Sequence, residues 1–245
     1  MRTVLLNADG SYQRDCRAGE SGVLMIAGEA LSPGYTDAEK NAGLFATLPA
    51  KGGGSEVWLN TRDLAAIDED GYLFLRGRAR DLIIRGGHNI DPGLIEEALN
   101  AHPAVAEAAA VGQPDVHAGE VPVAFVLLKP ETEAVSESEL LAYARAHVPE
   151  RAAIPKRLII KQRMPQTDIG KTDKKSLRAE AAQFVLKRAL LDALDETAFE
   201  LSVVPDPAHG IRAVLQLRDT GRQSAAHSVL DSFPITYDIS TLGES

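Results

Sequence analysis

Lys171 lies in the stretch MPQTDIGKTDKKSLR (164–178), directly after Gly170 and among polar turn formers, with the apolar run KRLIIKQ before it. Such a lysine is either a solvated loop charge or a mobile cation carried into an active site, where an ammonium stabilises negative charge. Asp63, in NTRD, offers two acceptor oxygens that can take hydrogen bonds from two vicinal hydroxyls at once; the alternative is a turn residue between strands. Arg78, in GRARD, presents a permanently charged planar fork suited to oxygen acceptors, or a surface ion pair. Arg80, two residues on, has no role readable from its type alone. Gly86 and Gly87, in RGGHN, permit either a tight turn or the close approach of a ligand. His88 is expected as a packed or surface residue. The histidines at 102, 117, 147, 209 and 227 form no HxxxH-type spacing and Cys16 is the only cysteine, so no protein-built metal site is expected.

The elements that must position these residues change character along the chain. From 3 to about 78, short strand-like runs (TVLLN, GVLMIAG, EVWLNT, LAAID, GYLFLRG) alternate with Gly, Pro and Asp turns, and DEDG at 68–71 is a hairpin signal. KGGGS at 51–55 reads as a loop within this β-rich part. From about 81 the order becomes strand (DLIIRGG), helix (DPGLIEEALNAH), two strands (VAEAAAVGQP, VPVAFVLLKP), helix (SESELLAYARAHV) and strand (KRLIIKQ). Asp91 followed by Pro92, and Ser136 followed three residues later by Glu139, are helix-start signals. This order predicts an α+β sandwich. The remainder predicts a long helix (LRAEAAQFVLKRALLDAL), two strands around a DPAHG turn, a helix (RQSAAHSVLDSF) and a strand (PITYDI).

The 245 residues accommodate two or three compact units, and 44% hydrophobic with 25% charged residues is the balance of a globular protein with a core. A net charge of -9 excludes a broad basic footprint for nucleic acid or anionic lipid. The opening MRTVLLNADG is unlike a signal peptide and no 18-residue apolar run occurs, so no stable membrane insertion is expected; with the single cysteine this gives a cytoplasmic expectation.

Four stretches in order, GVLMIAGEALSPGYT, WLNTRD, DEDGYLFLRGRARDLIIRGGHNIDPGLIEEAL and MPQTDIGKTDKK, resemble the adenylate-forming (AMP-binding) acyl-CoA synthetases and ligases, over roughly residues 19–178. The tail resembles the extension of some bacterial fatty-acyl-CoA synthetases. The resemblance implies a fold of three parts: a β-rich, barrel-like remnant of the large N-terminal domain (1–78), the mobile α+β C-terminal domain (79–178) and an α+β extension (179–245). It implies ATP-dependent adenylation of a carboxylic acid, with a fatty acid as the expected class, followed by transfer of the acyl group to coenzyme A. Lys171 then matches the catalytic lysine that reaches the carboxylate and the nucleotide. Asp63 matches the ribose-holding carboxylate, Arg78 the arginine near ribose and phosphate, Arg80 the hinge, and Gly86 and Gly87 the loop along the pantetheine path. One departure is Arg62, where the family has glycine, so strain or crowding is expected there.

The phosphate-gripping loop, the aromatic-Gly-x-Thr-Glu motif and most of the acyl pocket are not among these residues. The nucleotide (ATP or AMP), its Mg2+ and coenzyme A are therefore expected to need the missing N-terminal adenylation domain as partner. Two other classes stay open: a non-catalytic regulatory or partner-binding module, and one chain of a split ligase.

Overall fold

A computed structural model describes residues 1–7, 9–29, 31–50, 52–130, 135–206 and 210–241. The expected DPAHG turn with His209, and Lys51 of the KGGGS loop, lie outside the described residues. The chain forms two compact units, Met1–Asp81 and Leu82–Ser245.

The first unit is a six-stranded antiparallel sheet of β1 (Arg2–Leu6), β2 (Tyr12–Asp15), β3 (Gly22–Ile26), β4 (Phe45–Pro49), β5 (Ser55–Ile67) and β6 (Leu73–Arg78), in the order β2-β1-β3-β5-β4 with β6 also on β5. β5 is the spine: β4 pairs with Ser55–Leu59 and β6 with Asp63–Ile67. EVWLNT and LAAID thus belong to one strand, interrupted at Arg62, whose φ of 63° is the only positive value at a non-glycine among the described residues. The sheet curls, because Arg2 on β1 donates Nη1 to the carbonyl of Pro49 on β4 at 2.8 Å, and β1 and β4 are not neighbours in the sheet. Its guanidinium also lies 5.2 Å from the Trp58 ring centroid, over a core of Val4, Met25, Leu48 and Trp58. The expected hairpin at 68–71 forms, with Gly71 at φ 85° and the Asp68 amide donating to the Tyr72 carbonyl at 3.1 Å. β2 and β4 carry no readable strand pattern. One is a polar edge strand and the other ends on a proline, both ordinary for strands that need not bury two faces.

The second unit opens with a short hairpin, β7 (Ile83–Arg85) and β8 (His88–Ile90), then α1 (Pro92–Asn100), β9 (Val105–Asp115), β10 (Gly119–Leu128), α2 (Glu137–His147) and β11 (Arg157–Lys161). The five strands make one sheet, in the order β11-β10-β7-β8 with β9 also on β10; only β10–β11 is parallel. Both helix starts follow the sequence signals. Asp91 accepts the Gly93 amide at 2.8 Å ahead of Pro92, and Ser136 and Glu139 form a reciprocal capping box.

β9 and β10 are apolar at nearly every position because both faces of the sheet are covered. Ala108, Ala110, Ala124 and Val126 pack with Ile95, Leu99, Leu140 and Ala144 of α1 and α2. The alternate residues Ala109, Val111, Val123 and Phe125 pack with Leu177 and Ala181 of α3 (Lys174–Leu191). Truncating the fully buried Phe125 to alanine would cost about 3–5 kcal/mol.

α3 is buried on a second side as well, where Ala182, Leu186 and Leu190 join Phe199, Ala213, Leu215 and Leu230. This second core is closed by β12 (Phe199–Asp206), β13 (Gly210–Leu217), α4 (Gln223–Leu230) and β14 (Thr236–Thr241). β12 and β13 are antiparallel, whereas β14 returns parallel to β13 through α4, as a parallel pair requires a crossover. The position expected to separate domain from extension, 178/179, falls inside α3, which serves both cores. No helix among the described residues is long and apolar enough to cross a membrane.

Candidate functional site

Lys171 sits near the tip of a tight hairpin that runs from Pro165 to Asp173. Gln166 and Thr172 form a β-bridge, the Thr167 amide donates to the Lys171 carbonyl at 2.7 Å, and the Thr167 hydroxyl accepts the Lys171 amide at 3.2 Å. Gly170 makes the turn at φ 76° and donates its amide to the Thr167 carbonyl at 2.8 Å. The Lys171 side chain is exposed, beside Ile169 at 77% exposure, and has no ion-pair or hydrogen-bond partner among the described residues. At the hairpin's base Met164 is buried in the core beneath α3. Asp173 caps α3, its carboxyl held below the ordinary range by the Ser176 hydroxyl and by the amides of Ser176 and Lys175, against a smaller opposing effect of burial.

Two residues that sequence reasoning passed over hold this hairpin and the start of α3 that follows it. Glu107, on β9, accepts the Thr172 hydroxyl, and Glu96, on α1, pairs with Lys174 Nζ at 2.7 Å while accepting the Ala110 amide at 2.7 Å. The signal for Glu107 was present: a charge that interrupts the otherwise apolar run VAEAAAV needs a partner.

In the first unit Asp63 and Arg78 are register partners on β5 and β6, with Arg78 Nε 3.6 Å from Asp63 Oδ1. No other group among the described residues engages the Asp63 carboxylate, which leaves acceptor capacity for hydroxyls. The Asp63 amide donates to the Thr61 hydroxyl at 3.1 Å, and that hydroxyl donates to the Leu24 carbonyl at 2.9 Å, so β3 fixes the backbone that aims the carboxylate. The strain expected at Arg62 takes the form of a left-handed backbone conformation, stabilised by Asn60 Oδ1 accepting the Arg62 amide at 2.9 Å. The Arg62 guanidinium reaches the Ala42 carbonyl at 3.0 Å.

Arg80 occupies a single 3-10 turn, Ala79–Asp81, that ends the first unit. Gly86 and Gly87 form the two-residue turn of the β7–β8 hairpin, at φ 58° and 80°, with Arg85 and His88 paired across it. Two successive positive φ values call for glycine by backbone geometry alone. A Cβ placed on either would meet nothing within 4 Å, so the space around both α-carbons is open. His88 Nε2 pairs with Glu150, and Arg85 donates Nη1 to the Ala152 carbonyl at 2.7 Å.

Among the other histidines, His102 meets the Tyr143 ring edge to face, His147 stacks on the same tyrosine, and His227 bonds the Tyr237 hydroxyl. Among the described residues no three His, Cys, Asp or Glu side chains are grouped to hold a metal.

The AMP-binding enzyme C-terminal domain family matches residues 94–171, ending on Lys171. The chain is 42% identical over 212 residues to the marinolic acid–CoA ligase of Pseudoalteromonas sp. (strain SANK 73390), covering 86% of this chain and 31% of that one. This similarity is longer than residues 1–178 and therefore continues into the region after them. The 2,3-dihydroxybenzoate-AMP ligase of Bacillus subtilis (strain 168) is 35% identical over 176 residues, covering 71% of this chain and 31% of that one. Among solved structures, ATP-bound MatB from Rhodopseudomonas palustris superposes with a TM-score of 0.63 at 27% identity, covering 75% of this chain and 34% of that one. The chain thus spans about a third of the length of the relatives it matches. Its order of motifs, its α+β fold and these matches agree: the chain corresponds to the C-terminal portion of adenylate-forming enzymes, with residues 94–171 matching their C-terminal domain family.

Proposed function

We propose that this chain is the C-terminal part of an acyl-CoA synthetase, which adenylates a carboxylic acid with ATP and passes the acyl group to coenzyme A. The observation that carries this reading is Lys171: an exposed cation, unpaired among the described residues, on a hydrogen-bonded hairpin, at the last residue of the matched family domain. As the acid's carboxylate attacks the α-phosphate, negative charge grows, and a positioned ammonium stabilises it more than it stabilises the ground state. Asp63 takes the ribose hydroxyls, a role its uncommitted acceptor oxygens suit, and Arg78 beside it serves the ribose and phosphate oxygens. Arg80, in the turn that ends the first unit, is the hinge. The Gly86–Gly87 turn lies along the path of the pantetheine arm, and the open space around both glycines favours that use.

Mg2+ enters with the nucleotide, its ligands lying outside this chain. We take the substrate class to be a fatty acid and the compartment to be the cytoplasm. The partner is the N-terminal adenylation domain. The test joins the chain to the N-terminal two-thirds of a relative and measures acid-dependent pyrophosphate release and thioester formation. Activity of the joined protein, with none from either part alone, is expected; a joined protein that folds and binds ATP without releasing pyrophosphate refutes the reading.

A further inference from the structure

The Gly86–Gly87 turn hangs from the start of β10 as well as from its own hairpin. β7 is three residues long and meets β10 at one register pair, Arg85 with Gly119, while the Gly86 amide donates to the Ala118 carbonyl at 2.7 Å. The next residue of β10 supplies a side chain where backbone pairing stops: Glu120 Oε2 accepts the Ile84 amide at 2.9 Å. That amide is the one partner of the Glu120 carboxylate among the described residues, and a hydrogen bond to an ionised carboxylate is about twice as strong as a neutral one.

Gly112 on β9 makes room for this carboxylate. It stands opposite Pro122 in the β9–β10 register, on the sheet face that Glu120 shares, and a Cβ at this position would lie 2.5 Å from the Glu120 carboxyl carbon and from Oε2. Gly112 does not have a positive φ, so the backbone itself does not call for glycine there. The glycine serves the carboxylate: any side chain at 112 would push Glu120 off the Ile84 amide.

We propose that Glu120, seated over Gly112, is a positioning residue for thioester formation, fixing β7 on β10 and thereby aiming the Gly86–Gly87 turn at the pantetheine arm. This deepens the reading of that turn as the coenzyme A path and rests on it. Two successive glycines make a turn that deforms easily, and a backbone ordered before the coenzyme arrives does not have to be ordered in each turnover. Glu120 acts through the Ile84 amide and β7.

The test reads the same variants in two ways. On the 245-residue chain, amide hydrogen exchange at Ile84 and Gly86 should quicken about tenfold in Glu120→Ala and in Gly112→Ala, with the amides of α2 changed less than about twofold. Glu120→Gln, whose amide oxygen still accepts from Ile84, should keep the slow rates. In the chain joined to the N-terminal two-thirds of a relative, thioester formation from the acyl-adenylate should fall about tenfold in Glu120→Ala, while acid-dependent pyrophosphate release stays within about twofold. Glu120→Gln should restore thioester formation. Unchanged exchange in Glu120→Ala overturns the inference, and so does faster exchange with thioester formation undiminished. An equal loss in both half-reactions also overturns it, as the mark of a merely structural contact. If Glu120→Ala fails to fold, Gly112→Ala, which keeps the carboxylate but displaces it, decides by the same readings. The coenzyme A path is judged separately by Gly87→Trp, which fills the open space at the turn: thioester formation at the unsubstituted rate would remove that path and leave the exchange result intact.

Discussion

Arg78 and Asp63 face each other across the β5–β6 ladder at 3.6 Å, with side chains 65% and 38% exposed. An ion pair so open to water contributes about 0–1 kcal/mol to folding, too little to explain the pair as a fold-stabilising device. Asp63→Asn is expected to leave the urea midpoint nearly unchanged. In the joined enzyme it should raise the KM for ATP by about tenfold or more, since the asparagine keeps one acceptor where two hydroxyls need two.

Arg62 is held at φ 63°, where an L-residue carries a backbone cost of about 1–2 kcal/mol. A glycine there relieves that cost but gives up the contact with the Ala42 carbonyl and adds freedom to the unfolded chain. Arg62→Gly should therefore change stability by less than about 1 kcal/mol, whereas Arg62→Val, β-branched in the left-handed region, should cost about 2 kcal/mol. Urea denaturation of the two variants separates these outcomes.

At Gly86 and Gly87 the open space means that only the backbone resists a side chain. Gly87→Ala should lower stability by about 1–2 kcal/mol, and Gly87→Asn by less, because asparagine tolerates positive φ. Equal losses in the two variants, read from urea midpoints, would mean that crowding rather than backbone conformation governs the turn.

Asp115 closes the β9–β10 turn. Burial pushes its carboxyl up, but the hydrogen bond from Lys156 and the amides of His117 and Ala118 outweigh that and bring it down to about 2. A carboxyl depressed in the folded state contributes stability that is complete above its ordinary value of 3.8 and is lost as pH falls towards 2. The Tm should therefore decline between these pH values, and Asp115→Asn should start lower and show a shallower decline. Thermal melts of both proteins over that interval check the sign.

Much of the fold was legible because its signals are local. Asp91 with Pro92 and Ser136 with Glu139 start their helices as their spacing dictates, and DEDG turns its hairpin. Residues whose meaning lies in a distant partner were not legible. Glu107 finds Thr172 across 65 residues of sequence, and Glu96 finds Lys174, so neither pairing has a local pattern. The helix after Lys171 was read from Leu177 onward, although α3 begins at Lys174 under the Asp173 cap. The four recognisable motifs end by 178, but packing does not, because Leu177 and Ala181 serve one core while Ala179 and Ala182 serve the next. Lys171 itself was visible from its motif, while the hydrogen-bonded hairpin beneath it was not.

The Lys171 side chain is exposed and has no ion-pair or hydrogen-bond partner among the described residues, so its truncation separates chemistry from structure. The decisive measurement is acid-dependent pyrophosphate release by the joined enzyme with Lys171→Ala. Loss of about 100-fold or more in kcat at an unchanged Tm is predicted. Pyrophosphate release at the unsubstituted rate would contradict the assignment of Lys171 as the cation of adenylation.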